Sequence, residues 1–364
     1  EALDALRSVA ALSISMLHLE RGEYFLQNWN GLYAPALYLS LDFFLVLSGF
    51  VLSQGYMFAD TPVTPLRFIG QRLMRLWPLH ALAVVTTALA RQLCGMLTLT
   101  PASGVLLDFA QELALLHCVG LPYPHVAFNN MSSWTVSCEI WINVVFAFCD
   151  CKGPRSWVAI ALASVFLQVL LFFEVDCLDV WTQTVGGFLG LGLVRCGSSF
   201  MMGVLAYIVH SKTSGQTMNV SYATALEIVS ILAVVVLVCV RPTICFRSDF
   251  AGVWLFAATV LCFAREKGLL SRGLTYVGFI GKVSYSIYLN QWTVLLCMKA
   301  SGVFELQWVE GSVLLQAMLY WSVLIPYSCL TYLFVERTAM LWWKGDLQSG
   351  MPSFRFLATG ISRL

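Results

Sequence analysis

This sequence predicts an all-α fold, a polytopic bundle of about ten membrane-crossing helices. Three observations carry that prediction. Hydrophobic residues make up 59% of the 364 and charged residues only 11%, against roughly 45–50% and 25% in soluble domains. The apolar residues form long continuous runs, without the period-2 alternation of a membrane strand. The basic residues fall mainly in alternate connecting segments. So low a charge content cannot cover a soluble surface. It excludes a disordered chain, a nucleic-acid binder and a typical cytosolic enzyme. The expected surroundings are a lipid bilayer, in a plasma membrane or an endomembrane.

Taken in order, the runs place spans near 5–20, 33–56, 79–97, 132–149, 156–175, 189–210, 221–240, 249–264, 283–300 and 312–335. An amphipathic helix near 104–118 is expected between the third and fourth. Arg67, Arg72, Arg75, Arg155, Lys212, Arg265, Lys267, Arg272, Lys282 and Arg337 fall on one side, with Lys152, Lys344, Arg355 and Arg363. The other side holds Arg21, Arg91, Arg241, Arg247 and Lys299. The positive-inside bias then predicts both termini in the cytoplasm. Residues 1–345 read as one membrane domain and 346–364 as a flexible cytoplasmic tail. The polar stretch 211–220 reads as a hinge between two sets of helices. No cleavable signal peptide is expected, and the natural start is expected upstream of Glu1.

Net charge is +1, from 21 basic and 20 acidic residues, so electrostatics names no partner. The twelve cysteines are scattered, mostly in apolar stretches where Cys acts as a small hydrophobe. No metal site is expected. A disulfide among Cys118, Cys177 and Cys245 stays open at this stage.

Charges inside a bilayer cost about 2.5–3.5 kcal/mol each at mid-span, so they mark candidate functional positions. In the first helix Arg7 and His18 are eleven residues apart, which is about 20° past three full turns. They share a face and stand about 16 Å apart along the axis. Asp4, Ala11 and Ser15 lie near the same stripe. The plainer alternative is a helix-end Asp4–Arg7 pair and a His at the interface. The second helix carries Asp42, with Ser48 and Gly49 allowing close helix packing. A structural Asp42, bonded to backbone or to an Arg, is as good a reading as a catalytic one. Arg72 and Arg75, three apart ahead of Pro78, suit bidentate binding of phosphate. A cytoplasmic anchor is the alternative. Ser132, Thr135, Glu139 and Asn143 make a polar stripe, and Glu139 needs a partner such as Arg7, Arg72 or Arg75. Ser284, Tyr288 and Gln291 share a face near the end of the chain. Glu336 and Arg337 read as a local ion pair. No sequence pattern supports a covalent Ser or Cys nucleophile.

These segments, in this order, resemble the membrane acyltransferase family 3, the O-acyltransferases of surface sugars and other acceptors. The resemblance covers roughly residues 1–340. It rests on Arg7 with His18, on Asp42-Phe43-Phe44 with Ser48-Gly49-Phe50, and on Arg72, Arg75 and Pro78. It continues with Trp134, Thr135, Ser137 and Glu139, then Gly281, Lys282, Ser284, Tyr285, Tyr288 and Leu289, and ends on Glu336 and Arg337. Gln291 stands where the family has His, Thr293 where it has Pro, Thr135 where it has Ser, and His80 follows Pro78 where Pro-x-Tyr is common.

The resemblance implies transfer of an acyl group, expected to be acetyl, from cytoplasmic acyl-CoA to a hydroxyl of a carbohydrate or other acceptor. Acyl-CoA is then a co-substrate, and no permanently bound cofactor is expected. His18 would be the general base and Glu139 a second catalytic group. Arg7, Arg72 and Arg75 would hold the donor. Asp4, Asp42, Ser48, Trp134, Ser137, Ser284, Tyr285, Tyr288 and Gln291 would support the site or face the acceptor. Two alternatives stay open: a transporter or flippase without chemistry, and a non-catalytic member of the same fold.

Overall fold

The computed structural model describes residues 1–21, 36–58, 63–94, 102–120, 130–149, 153–180, 183–215, 217–244, 246–310, 312–343 and 345. Helices follow the apolar runs closely. They are α1 (Ala2–Arg21), α2 (Ser40–Leu52), α3 (Pro65–Leu93), α4 (Ala102–Leu113), α5 (Ser133–Phe148), α6 (Pro154–Glu174) and α7 (Leu191–Thr213). Then come α8 (Val220–Ile244), α9 (Asp249–Ala264), α10 (Leu269–Thr275), α11 (Ser284–Ala300), α12 (Gln307–Glu310), α13 (Val313–Thr331) and α14 (Arg337–Trp343). Short π-helical segments extend α2 over Ser53–Met57 and join α13 to α14 over Tyr332–Glu336. Among the described residues the only sheet is a two-stranded hairpin, Thr184–Val185 against Leu189–Gly190.

Seven segments are long and apolar enough to cross a membrane, among them α1, α3, α6, α7 and α8. Two shorter apolar helices are α5 and α9. The chain is a helical membrane bundle, and length and composition account for seven of the ten expected spans. The tail 346–364 and the residues Lys152, Cys151 and Cys245 lie outside the described residues. Cys118 and Cys177 are free thiols.

One boundary departs from expectation. The third span was expected to begin at Pro78. Instead α3 is continuous from Pro65 to Leu93 with Pro78 inside it. Pro65 occupies its first turn, and the Thr64 side chain accepts a hydrogen bond from the Arg67 backbone N–H. Apolar surroundings make it costly to leave backbone groups exposed, so a membrane helix continues past a proline that would end a soluble one. Arg72 and Arg75 therefore sit in the same rod as His80 and Thr87.

The helices differ in exposure. In α7 72% of the span is buried, but in α6 only 17% and in α8 22%. Val158, Leu162, Phe166, Val169 and Phe173 of α6 recur every three or four residues and are exposed. They make an outward apolar stripe suited to lipid. The central contact is α2 on α7. A Cβ on Gly49 would stand 2.1 Å from the Phe200 carbonyl oxygen, and one on Gly203 would stand 1.9 Å from that of Val46. Only glycine lets the two backbones come this close. Three apolar clusters fill the bundle, and Phe44 of α2 packs against all three.

Candidate functional site

Residues from five helices surround a cleft of about 60 Å³. Arg7 comes from α1, Leu41, Phe44, Leu45 and Ser48 from α2, and Arg72, Arg75 and Leu76 from α3. Thr135, Val136 and Glu139 come from α5, and Tyr285 and Tyr288 from α11. Periodicity explains the convergence. Thr135 and Glu139 are four apart, as are Leu41 with Leu45 and Arg72 with Leu76, so each pair faces one way.

Glu139 pairs with Arg72, and the same carboxylate oxygen accepts a hydrogen bond from Ser48 Oγ at 3.0 Å. Arg7 Nη1 meets Asp4 Oδ1 at 3.5 Å. Three guanidinium groups and one carboxylate thus line the cleft, and Asp4 stands against Arg7 just off it. Among the described residues the buried Nε atoms of Arg72 and Arg75 have no hydrogen-bond acceptor. Arginine donors without acceptors beside a cleft are the equipment for binding an anion. Tyr285 Oη donates to the Leu76 carbonyl at 2.7 Å, and Thr135 Oγ1 donates to Tyr288 Oη at 2.7 Å.

The other sequence candidates lie elsewhere. His18 is not on the lining; its ring stands 5.0 Å from that of Trp292, tilted by 46°. Gln291 is buried one turn beyond Tyr288, donating to Ser132 Oγ at 2.6 Å and to the Tyr288 carbonyl at 2.8 Å. Ser284 Oγ donates to the Gly281 carbonyl, and Ser137 Oγ to that of Leu115. Both hydroxyls are spent on backbone carbonyls. Asp42 is likewise off the cleft: it accepts from Arg195 Nη2 at 2.7 Å, from Arg195 Nε at 3.2 Å and from Ser199 Oγ at 2.8 Å. Arg195 also donates to the Tyr38 carbonyl and lies 5.9 Å from the Trp134 ring. Asp42 and Trp134 therefore belong to a buried structural knot.

Three features were missed in the sequence. Arg195 is an arginine inside an apolar span, and the rule that singled out Arg7 would have found it. Glu336 is the second. It was expected to form a local pair with Arg337, but its side chain is buried and accepts from Ser286 Oγ at 3.0 Å. It lies at the end of the π-helical segment that precedes Arg337. The third is a polar cluster around α4. Glu112 accepts from Ser133 Oγ at 2.7 Å and from the Asn130 N–H, while His117 Nε2 lies 3.1 Å from Ser133 Oγ. It ties α4 to the start of α5. No group of three or more metal-binding side chains occurs among the described residues.

A sequence profile described as an acyltransferase domain matches residues 1–335. The chain belongs to the acyltransferase 3 family. A protein of Rhizobium radiobacter named "Protein 2 in picA locus" is 30% identical over 183 residues, covering 46% of this chain and 92% of that protein. No solved structure matches. This membrane protein is thus an acyltransferase, with its arginine cleft in the matched region.

Proposed function

We propose that this acyltransferase moves an acyl group, acetyl in the first instance, from cytoplasmic acyl-CoA to a hydroxyl of a carbohydrate or similar acceptor. The observation that carries the reading is the cleft that Arg7, Arg72 and Arg75 line together, with Glu139 paired to Arg72. CoA is polyanionic, and Arg forks grip its phosphates in bidentate fashion. The positive-inside bias puts this end of the bundle in the cytoplasm, where the donor is made. Glu139 and Ser48 hold Arg72 in place.

His18, about 16 Å along α1 from Arg7, serves as the general base. The acceptor oxygen attacks the thioester carbonyl carbon while neutral His18 takes the hydroxyl proton. The C–O bond forms, the C–S bond breaks, and the departing sulfur collects that proton as the CoA thiol. No acyl-enzyme is needed. In this scheme the donor reaches from the arginines toward His18, and an acceptor from the other face meets it there.

The test is transfer from labelled acetyl-CoA to a panel of hydroxyl acceptors by the purified protein, His18→Ala and Arg75→Ala. Label should move in the wild type, fall to background in His18→Ala, and need far more donor in Arg75→Ala. Full turnover by His18→Ala would remove His18 from the mechanism. Binding of acetyl-CoA without transfer to any acceptor would point to a non-catalytic member of the fold.

A further inference from the structure

The cleft stops short of His18, and on each wall the stopping point is defined. On α2 the lining runs from Ser48 to Phe44 and Leu41, on α5 from Glu139 to Thr135, and on α11 from Tyr285 to Tyr288. On α1 it includes Arg7 and not His18. The far end is closed by aromatic and hydroxyl groups that hold one another. Thr135 Oγ1 donates to Tyr288 Oη at 2.7 Å, and the Phe44 ring lies 6.2 Å from that of Tyr288. Trp292, which stands against His18, is one helical turn beyond Tyr288 on α11.

Phe44 has little freedom to move aside, because it packs against all three apolar clusters. Tyr288 is buried, and Gln291, tied to both Ser132 Oγ and the Tyr288 carbonyl, backs it on the next turn. A thioester held by the arginines therefore turns its acyl end toward this closure.

We propose that Phe44, Tyr288 and Thr135 form the acyl-length filter of the enzyme, admitting acetyl-sized thioesters and rejecting longer chains. The inference rests on the acyl-CoA reading above. An acetyl group adds one methyl beyond the carbonyl carbon, whereas every further methylene needs volume that the Phe44 ring already fills. A shaped apolar pocket discriminates by about 10–200-fold per methylene, so a closure of this kind is enough to set the donor.

The experiment compares kcat/KM for acetyl-, butyryl- and hexanoyl-CoA in the wild type, Phe44→Ala, Phe44→Leu and Tyr288→Phe. The wild type should favour acetyl over hexanoyl by at least about tenfold. Phe44→Ala should raise the hexanoyl-to-acetyl ratio by about tenfold or more, and Phe44→Leu by less. Tyr288→Phe keeps the ring and loses the hydroxyl that takes the Thr135 bond, so a smaller rise is expected. If Phe44→Ala does not fold, Phe44→Leu and Tyr288→Phe carry the comparison. Equal use of acetyl and hexanoyl donors by the wild type overturns the filter. So do unchanged ratios in variants that still transfer acetyl, and both results leave the acyl-CoA reading standing. Failure of the wild type to transfer from any acyl-CoA overturns that reading and the filter with it.

Discussion

Two of the arginine–carboxylate pairs among the described residues, Arg195 with Asp42 and Arg72 with Glu139, do different work. Arg195 and Asp42 are closed in, with side chains 1% and 0% exposed. Asp42 takes bonds from Arg195 and Ser199, and Arg195 also reaches the Tyr38 carbonyl. Arg72 and Glu139 border the cleft, at 9% and 20% exposed, with two more guanidiniums nearby. A charge pair that satisfies itself fixes helices. One left with spare donors beside a cavity is available to a ligand. Burial alone does not separate the two, since both arginines are buried; what separates them is how many of their polar atoms are already used.

The largest expected effect is at the closed pair. Asp42→Ala leaves Arg195 buried and uncompensated, at a cost of about 3–5 kcal/mol. Unfolding of detergent-purified protein should show it, and the paired replacement Asp42→Leu with Arg195→Met should recover most of the loss. Arg72→Ala should raise the KM for acyl-CoA about 10–100-fold, the worth of a charge-assisted bond. Its unfolding midpoint should move less than that of Asp42→Ala, because the carboxylate left behind borders an open cleft. Equal destabilisation by the two would erase the distinction drawn here. Ser133→Ala removes a hydroxyl from the buried Glu112 and should cost about 1–3 kcal/mol by the same unfolding assay. Asp4→Ala tests the smallest case. Asp4 is 47% exposed, and its pair with Arg7 is worth under about 1 kcal/mol, so stability should scarcely change.

The helices were legible because a membrane span is written in continuous apolar length, and expected and observed spans differ by only a few residues at most ends. Pro78 misled, since the rule that proline ends a helix weakens where backbone cannot turn to water. The convergence of Arg7, Arg72, Arg75 and Glu139 was legible in part. Each stood out as a charge in apolar surroundings, but which arginine meets Glu139 depends on helix packing that a single chain does not spell out. The same limit hid the partner of Asp42, 153 residues away in the sequence. The burial of Glu336 was not legible, because it lies in a π-helical segment whose side chains depart from the α-helical phase.

The glycine contact between α2 and α7 has a further consequence. Where two backbones touch through Gly49 and Gly203, no side chains lie between them to rearrange. The pair behaves as one plate, locked again by Arg195 and Asp42, each about two turns away. Ser48 and Phe44 line the cleft from that plate, so this wall is anvil-like and gives little to whatever the cleft holds.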